Sequence, residues 1–203
     1  MPRKNEIDML HGPLLAKIII FAMPLAASSI LQQLFNSVDV AVVGRFDSSY
    51  ALAAVGSNGP VISLLINLFL GISMGANVVI SNHIGQKDNN LTKYAIRTTA
   101  ATALFSGLAL AVIGVLAARP ILTIMGTPME VLDMAVRYLR IYFIGTPFLL
   151  IYNFGSAILR SKGDTSRPLY ILVIAGIINT VLNLILVIVF HMGVAGVAIA
   201  TDI

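Results

Sequence analysis

The sequence has no cysteine and no tryptophan, and only 11% of its 203 residues are charged. Without cysteine there is no disulfide, no thiolate metal site and no cysteine nucleophile. Soluble domains carry about a quarter charged residues. The shortage here, with 58% hydrophobic residues and a mean hydropathy of +0.92, excludes an ordinary globular enzyme, a disordered chain and a nucleic-acid binder. The net charge of +4 would suit a polyanion partner, but its placement along the chain points to membrane orientation instead.

Long apolar runs fill the stretches that charge leaves vacant. No Asp, Glu, Lys or Arg occurs in residues 18–38, 48–86, 98–118, 141–159 or 168–201. Each run holds the roughly 20 apolar residues that a helix needs to cross about 30 Å of hydrocarbon. The pattern predicts an all-α polytopic membrane protein with spans near 14–43, 51–81, 94–118, 129–159 and 168–190, and the start of a sixth from about 193. Barrel strands are excluded, because they take only about 10 residues each and alternate in polarity. The polar start, Met1 to Lys17, leads into a full-length apolar run and reads as an uncleaved first span rather than a signal peptide. The 13 residues after Phe190 are too few to cross a bilayer, so residues 1–203 are expected to form one transmembrane lobe cut early in helix six.

Basic residues divide unevenly between alternate loops. One side receives Arg3, Lys4, Lys17, Lys87, Lys93, Arg97, Arg160, Lys162 and Arg167, and the other Arg45, Arg119, Arg137 and Arg140. The richer side, with the N-terminus, is expected in the cytoplasm of a cell whose plasma or inner membrane the chain spans. Tyr50, Tyr94, Tyr138 and Tyr170 fall near span ends, as interfacial rings should. Thr127-Pro128-Met129-Glu130 matches a capping box that starts the fourth helix, after a loop opening at Arg119-Pro120. His11, His83 and His191 each sit alone at a span end, and no catalytic triad, phosphate cradle or metal motif is present in the sequence. No catalytic residue and no cofactor is expected.

Polar residues inside the spans are the informative ones, because they are costly in hydrocarbon. Gln32, Asn36 and Asp39 fall at i, i+4 and i+7 and are predicted to share one helix face. Asp39 either lines a bundle interior or snorkels outward toward Arg45. Asn179 and Asn183 lie one turn apart, suited to ligating a small cation or to bonding across helices. Gly59, Ser63, Asn67, Gly71 and Gly75 form a ladder of small or polar residues read as a close-packing surface, and Asn58 has no role assigned. Pro24 and Pro147 interrupt the first and fourth spans, as hinges or fixed bends. Tyr138, Tyr142 and Asn153 add polar groups to the fourth span.

Several segments together resemble the multidrug and toxic compound extrusion (MATE) transporters. They are Phe35-Asn-Ser-Val-Asp39, Val43-Gly44-Arg45, Ala51-Leu-Ala-Ala-Val-Gly56, Tyr138-Leu-Arg-Ile141, Leu159-Arg160-Ser-Lys-Gly163-Asp164 and His191-Met-Gly-Val-Ala-Gly196. The resemblance implies the N-terminal six-helix lobe of a twelve-helix protein with a central cavity. It implies antiport of sodium or protons against amphipathic, often cationic drugs, with the lipid bilayer and a C-terminal lobe as partners. It places a cation network on Asp39, Asn179, Asn183 and Thr201, with Tyr138 nearby, and any bound sodium at Asp39, Asn179 and Asn183. Pro24 becomes the proline whose bend accompanies loading, while Gln32, Asn36 and Asn153 become cavity-lining positions. Asn183 departs from the carboxylate that many members carry, and Asp202 from an apolar residue. Two other functions fit a polytopic chain. A lipid-linked oligosaccharide flippase should carry cationic residues inside its cavity, whereas here every Lys and Arg lies at or outside a predicted span end. A non-transporting membrane subunit should show no ion linkage at Asp39.

Overall fold

The computed structural model describes residues 13–203, so Arg3, Lys4 and His11 lie outside the described residues. Six α-helices follow one another: α1 (Leu14–Phe46), α2 (Ser49–Gly85), α3 (Asn89–Ile124), α4 (Met129–Ser161), α5 (Ser166–Leu184) and α6 (Gly193–Asp202). A π-helical turn, Ile185–Val189, extends α5. Among the described residues five helical segments are long and apolar enough to cross a membrane, while α6 spans 10 residues.

The helices outrun the apolar runs that predict them, because their polar ends stay helical beyond the hydrocarbon. Asp88 caps α3 by accepting from the amides of Asn90 and Leu91, so the helix opens on Asn-Asn-Leu-Thr rather than at Tyr94. The expected loop at Arg119-Pro120 is absent, since α3 continues through Pro120 to Ile124. Proline four residues from a helix end removes a hydrogen bond where the ladder is already thinning. The capping box at Thr127 does not form either. Pro128 is itself the N-cap, with extended backbone and no side-chain bond, and Met129 is the first helical residue. Asn58 acquires a structural part: fully buried on α2, it donates to the carbonyls of Ala54 at 2.8 Å and Ala135 at 3.1 Å, tying α2 to α4.

α4 is the central post. It packs against α2, α3 and α6, and carries more buried residues than any other described helix, among them Leu139, Phe143, Leu150 and Phe154. Glycine notches set the helix spacing. A methyl group on Gly114 of α3 would overlap the ring of Phe143, and one on Gly107 would meet Pro147, so α4 presses its bulk into gaps on α3. Close approach through small residues is the ordinary way helices associate in lipid. The ladder on α2 behaves otherwise. Ser63, Asn67, Gly71 and Gly75 are exposed, and no atom lies within 4 Å of a Cβ placed on Gly59, Gly71 or Gly75, so no described residue packs closely against this face.

α1 and α5 pair through a similar notch, with the Phe35 ring filling the space over Gly176. Asp39 follows Phe35 by one turn, and Asn179 and Asn183 follow Gly176 by one and two turns. The contact that seats α1 on α5 therefore carries these three polar side chains toward one another.

Candidate functional site

Asp39 is 7% exposed and points inward between α1, α5 and α6. One carboxylate oxygen, Oδ1, accepts from the Asn183 amide Nδ2. The other, Oδ2, accepts from the Thr201 hydroxyl at 3.4 Å. The Asn183 amide also donates to Asn179 Oδ1 at 3.4 Å, and Asn179 Nδ2 lies 3.5 Å from Thr201 Oγ1. Four side chains from three helices thus close a ring. Burial runs against the snorkelling alternative for Asp39, and the ion pairs seen among the described residues, Arg119–Asp133 and Arg167–Asp164, do not include one between Asp39 and Arg45.

One atom in the ring is left over. Asn183 is fully buried, and its Oδ1 has no hydrogen-bond partner. A buried acceptor without a donor costs about 1–3 kcal/mol, which a proton donor or a cation would recover. Asn183 turns its Nδ2 to Asp39 and Asn179; with that amide rotated, its Oδ1 would join the two Asp39 oxygens, Asn179 Oδ1 and Thr201 Oγ1 in an all-oxygen set of the type that hard cations select. The chemistry of the donor set fits sodium and equally fits a proton shared between Asp39 and Asn183. No grouping of three or more His, Cys, Asp or Glu occurs among the described residues.

Backbone geometry places Thr201. After Asn183 the π turn delivers the chain to His191 and Gly193, both with left-handed backbone at φ 51° and 54°. Gly193 meets the Asp47 carboxylate where a side chain would otherwise stand, which locks the α5–α6 bend against the α1–α2 turn. α6 then runs back along α4, and Thr201 turns toward Asp39 while bonding the Val197 carbonyl at 2.9 Å.

The remaining sequence candidates separate. Tyr138 is buried on α4 within electrostatic reach of Asp39, and makes no hydrogen bond in the ring. The face predicted for Gln32, Asn36 and Asp39 divides: Gln32 is half-buried, whereas Asn36 is exposed and donates to Gln33 Oε1 at 3.4 Å. At 100° per residue Gln32 stands about 20° from Asp39 around α1 but Asn36 about 60° away, enough to turn Asn36 outward once Asp39 faces in. Gln33, Asn36, Ser37 and Val40 instead line a shallow depression on the outer surface of α1. Asn153 is 5% exposed, enclosed by helices rather than facing an open cavity, and stands about 22 Å along α4 from Tyr138. α1 continues through Pro24 as one helix, with the Ser28 hydroxyl on the Pro24 carbonyl at 2.8 Å. Asp202, for which the sequence offers no role, seats its carboxylate over Gly145 of α4.

Comparison with known proteins agrees with this architecture. The MatE family model matches residues 24–185. The probable multidrug resistance protein YoeA of Bacillus subtilis is 35% identical over 188 residues, covering 91% of this chain and 41% of that protein. The multidrug export protein MepA of Staphylococcus aureus is 25% identical over 196 residues, covering 95% and 43%. A MATE transporter crystallised in a straight conformation superposes with a TM-score of 0.89 at 27% identity, over 100% of this chain and 44% of its own. The bent conformation gives 0.88, over 94% and 42%. The chain therefore spans less than half the length of the relatives it matches. A family model covering most of the chain, helix for helix the same lobe, makes this protein a member of the MATE family of multidrug efflux transporters.

Proposed function

We propose that the chain acts as the N-terminal lobe of a two-lobe antiporter, exporting amphipathic, often cationic compounds in exchange for sodium or protons. The observation that carries this reading is the closed ring of Asp39, Asn183, Asn179 and Thr201 with its unpaired buried acceptor. Loading the ring with a positive charge changes which groups Asp39 can accept from. A sodium ion draws on the ring oxygens directly, and a proton turns Asp39 into a donor toward Asn183. Either event alters the hold of α1 on α5 and α6, and α1 carries Pro24 toward its other end. An element with two arrangements, biased by one ion, can exchange that ion against a drug in alternating access.

Two uncovered faces support a second lobe and a wet cavity. Gln33 and Asn36 on α1 and Asn67 on α2 are exposed at membrane depth, where amides facing lipid would be costly. In this reading the lobe sits in a plasma or inner membrane with its N-terminus in the cytoplasm, an orientation that the uneven count of basic residues favours. The excess of cationic residues near the ends argues against a pyrophosphate-lipid flippase, whose cavity needs them inside. Efflux from proteoliposomes of the two-lobe assembly, with sodium and proton gradients imposed separately, is the test. Gradient-driven export that Asp39→Asn abolishes supports the reading. Export indifferent to both gradients, or unchanged in Asp39→Asn, overturns it.

A further inference from the structure

Among the described residues three turns between helices close in the same way. At the end of α2 the amide of Asp88 donates to the His83 carbonyl at 3.1 Å, and that of Lys87 to the Ile84 carbonyl at 3.0 Å. The same pair of bonds joins Thr127 to Leu122 and Gly126 to Thr123 after α3, and Asp164 to Leu159 and Gly163 to Arg160 after α4. Each turn puts one residue in left-handed backbone, with φ of 59° at Lys87, 75° at Gly126 and 80° at Gly163. Glycine is the ordinary occupant, because a Cβ there crowds the following carbonyl. Lys87 is the exception, so the α2–α3 turn carries a cation where glycine would fit more easily. The dipole of α2 does not require it: α4 also ends among cations, Arg160 and Lys162, and still keeps glycine at this position.

Two more exposed cations follow. Lys93 and Arg97 lie one turn apart on α3, at neighbouring positions of one helix face. The ion pairs among the described residues lie elsewhere, at Arg119–Asp133 and Arg167–Asp164, so Lys87, Lys93 and Arg97 keep their charge open to solvent. The one carboxylate in this turn, Asp88, accepts from the α3 amides of Asn90 and Leu91 through Oδ1. The α4–α5 turn on the same side differs: Arg167 is held 3.0 Å from Asp164, and Arg160 donates to the Ser156 carbonyl at 3.2 Å. Beyond Arg97 the same face of α3 becomes apolar and stays uncovered, with Leu104 44% and Leu108 49% exposed. The Tyr94 ring beside Lys93 is 71% exposed. A tyrosine among cations at the head of an apolar strip matches the boundary between lipid headgroups and acyl chains.

We propose that Lys87, Lys93 and Arg97 hold the phosphate of an anionic phospholipid whose acyl chains lie along Leu104 and Leu108 of α3. Charge complementarity names the occupant. Three open cations stand against one carboxylate already committed to capping, and cations just outside a span are drawn to anionic headgroups. The apolar strip and the boundary tyrosine distinguish a lipid from a free anion, which has no use for either. The bound lipid offsets the backbone cost at Lys87 and ties the α2–α3 turn to the membrane surface. This is independent of the antiport reading, and needs only that the long apolar helices cross a bilayer.

Nanodiscs of dioleoylphosphatidylglycerol and dioleoylphosphatidylcholine in equal parts, loaded with the two-lobe assembly, supply the test. Native mass spectrometry of the released protein counts the lipids that stay bound. The wild type should retain phosphatidylglycerol over phosphatidylcholine, and Lys93→Gln or Arg97→Gln should each lower that ratio about fivefold. Lys162→Gln, which removes an exposed cation from the α4–α5 turn, should leave the ratio unchanged. Lys87→Gly separates the lipid from the backbone. In phosphatidylcholine alone it should raise the unfolding midpoint, since glycine takes left-handed backbone readily. In phosphatidylglycerol that lead should shrink or reverse. Excess inorganic phosphate should displace the lipid no better than sodium chloride of equal ionic strength. A wild type without preference for phosphatidylglycerol, or an equal loss in Lys162→Gln, overturns the proposal. So does the same Lys87→Gly shift in both lipids, or specific displacement by phosphate. The substitutions fall on exposed side chains, and should one variant fail to fold, the others decide.

Discussion

Adding a single methyl group at Gly114 should loosen the α3–α4 seam. The new Cβ would fall inside the ring of Phe143, which is 1% exposed and pinned in the central cluster with Leu139 and Leu122. The ring has nowhere to rotate, so the helices must part or Phe143 must leave its rotamer. Overpacking of this kind costs about 1–3 kcal/mol, and overlap with three ring atoms at once puts it near the top of that range. Glycine to alanine returns up to about 1 kcal/mol through helix propensity. A net loss of about 2 kcal/mol is expected, or about 4–8 °C in the unfolding midpoint for a chain of this size. Gly59→Ala is the internal control, because no atom lies within 4 Å of its Cβ and only the propensity gain applies. Phe143→Leu should relieve Gly114→Ala, so the double mutant should be at least about 1 kcal/mol more stable than the sum of the singles. Thermal unfolding of the purified chain in detergent, followed by circular dichroism, reads all four variants. Equal stability of Gly114→Ala and Gly59→Ala, or strict additivity with Phe143→Leu, would refute the seam as described.

Asn58→Leu should cost about 1–3 kcal/mol of stability by stripping the Ala135 and Ala54 carbonyls of their shared donor, while the ion dependence of efflux stays that of the wild type; a changed ion dependence would mean that Asn58 belongs to the site. Gly193→Ala should destabilise by about 1–3 kcal/mol, since it forces an L side chain into left-handed backbone and against Asp47; an unchanged unfolding midpoint would contradict the bend. Replacing Gln33 and Asn36 together by leucine should leave folding of the chain intact but lower drug efflux several-fold, measured in the two-lobe assembly, because both are exposed on α1 without a partner beyond each other. Asp133→Ala should change stability by less than about 1 kcal/mol, because the Arg119–Asp133 bridge is solvent-exposed at both ends.

The fold was legible because hydrocarbon imposes one rule, a long run without charge, and the five runs obey it. Helix ends were not, since Asn89-Asn90-Leu91-Thr92 is polar and Pro120 reads as a breaker, so neither composition nor charge marks these turns as helix. Asp39 announced itself as a carboxylate among apolar residues, and the spacing of Asn179 and Asn183 placed both on one face. Asp202 gave no such signal. Its counterpart is Gly145, a residue with no side chain to pattern against, and a notch becomes visible only when the helices are packed. The α2 ladder marks a surface of close approach without saying whose, and no described residue fills it.

The π turn at Ile185–Val189 inserts one extra residue into a helix that otherwise advances about 100° per residue. Everything beyond it is out of phase with everything before it. Asn179 and Asn183 lie on the near side of that phase slip, and Thr201 on the far side. Deleting one residue from the turn would heal it into ordinary helix and shorten the chain by a single step, yet rotate the entrance to α6 by more than a quarter circle. Thr201 would then face away from Asp39, and Asp202 away from Gly145. A wide turn with no polar side chain of its own thus sets the angular register of the hydroxyl and the carboxylate that α6 presents to α1 and α4.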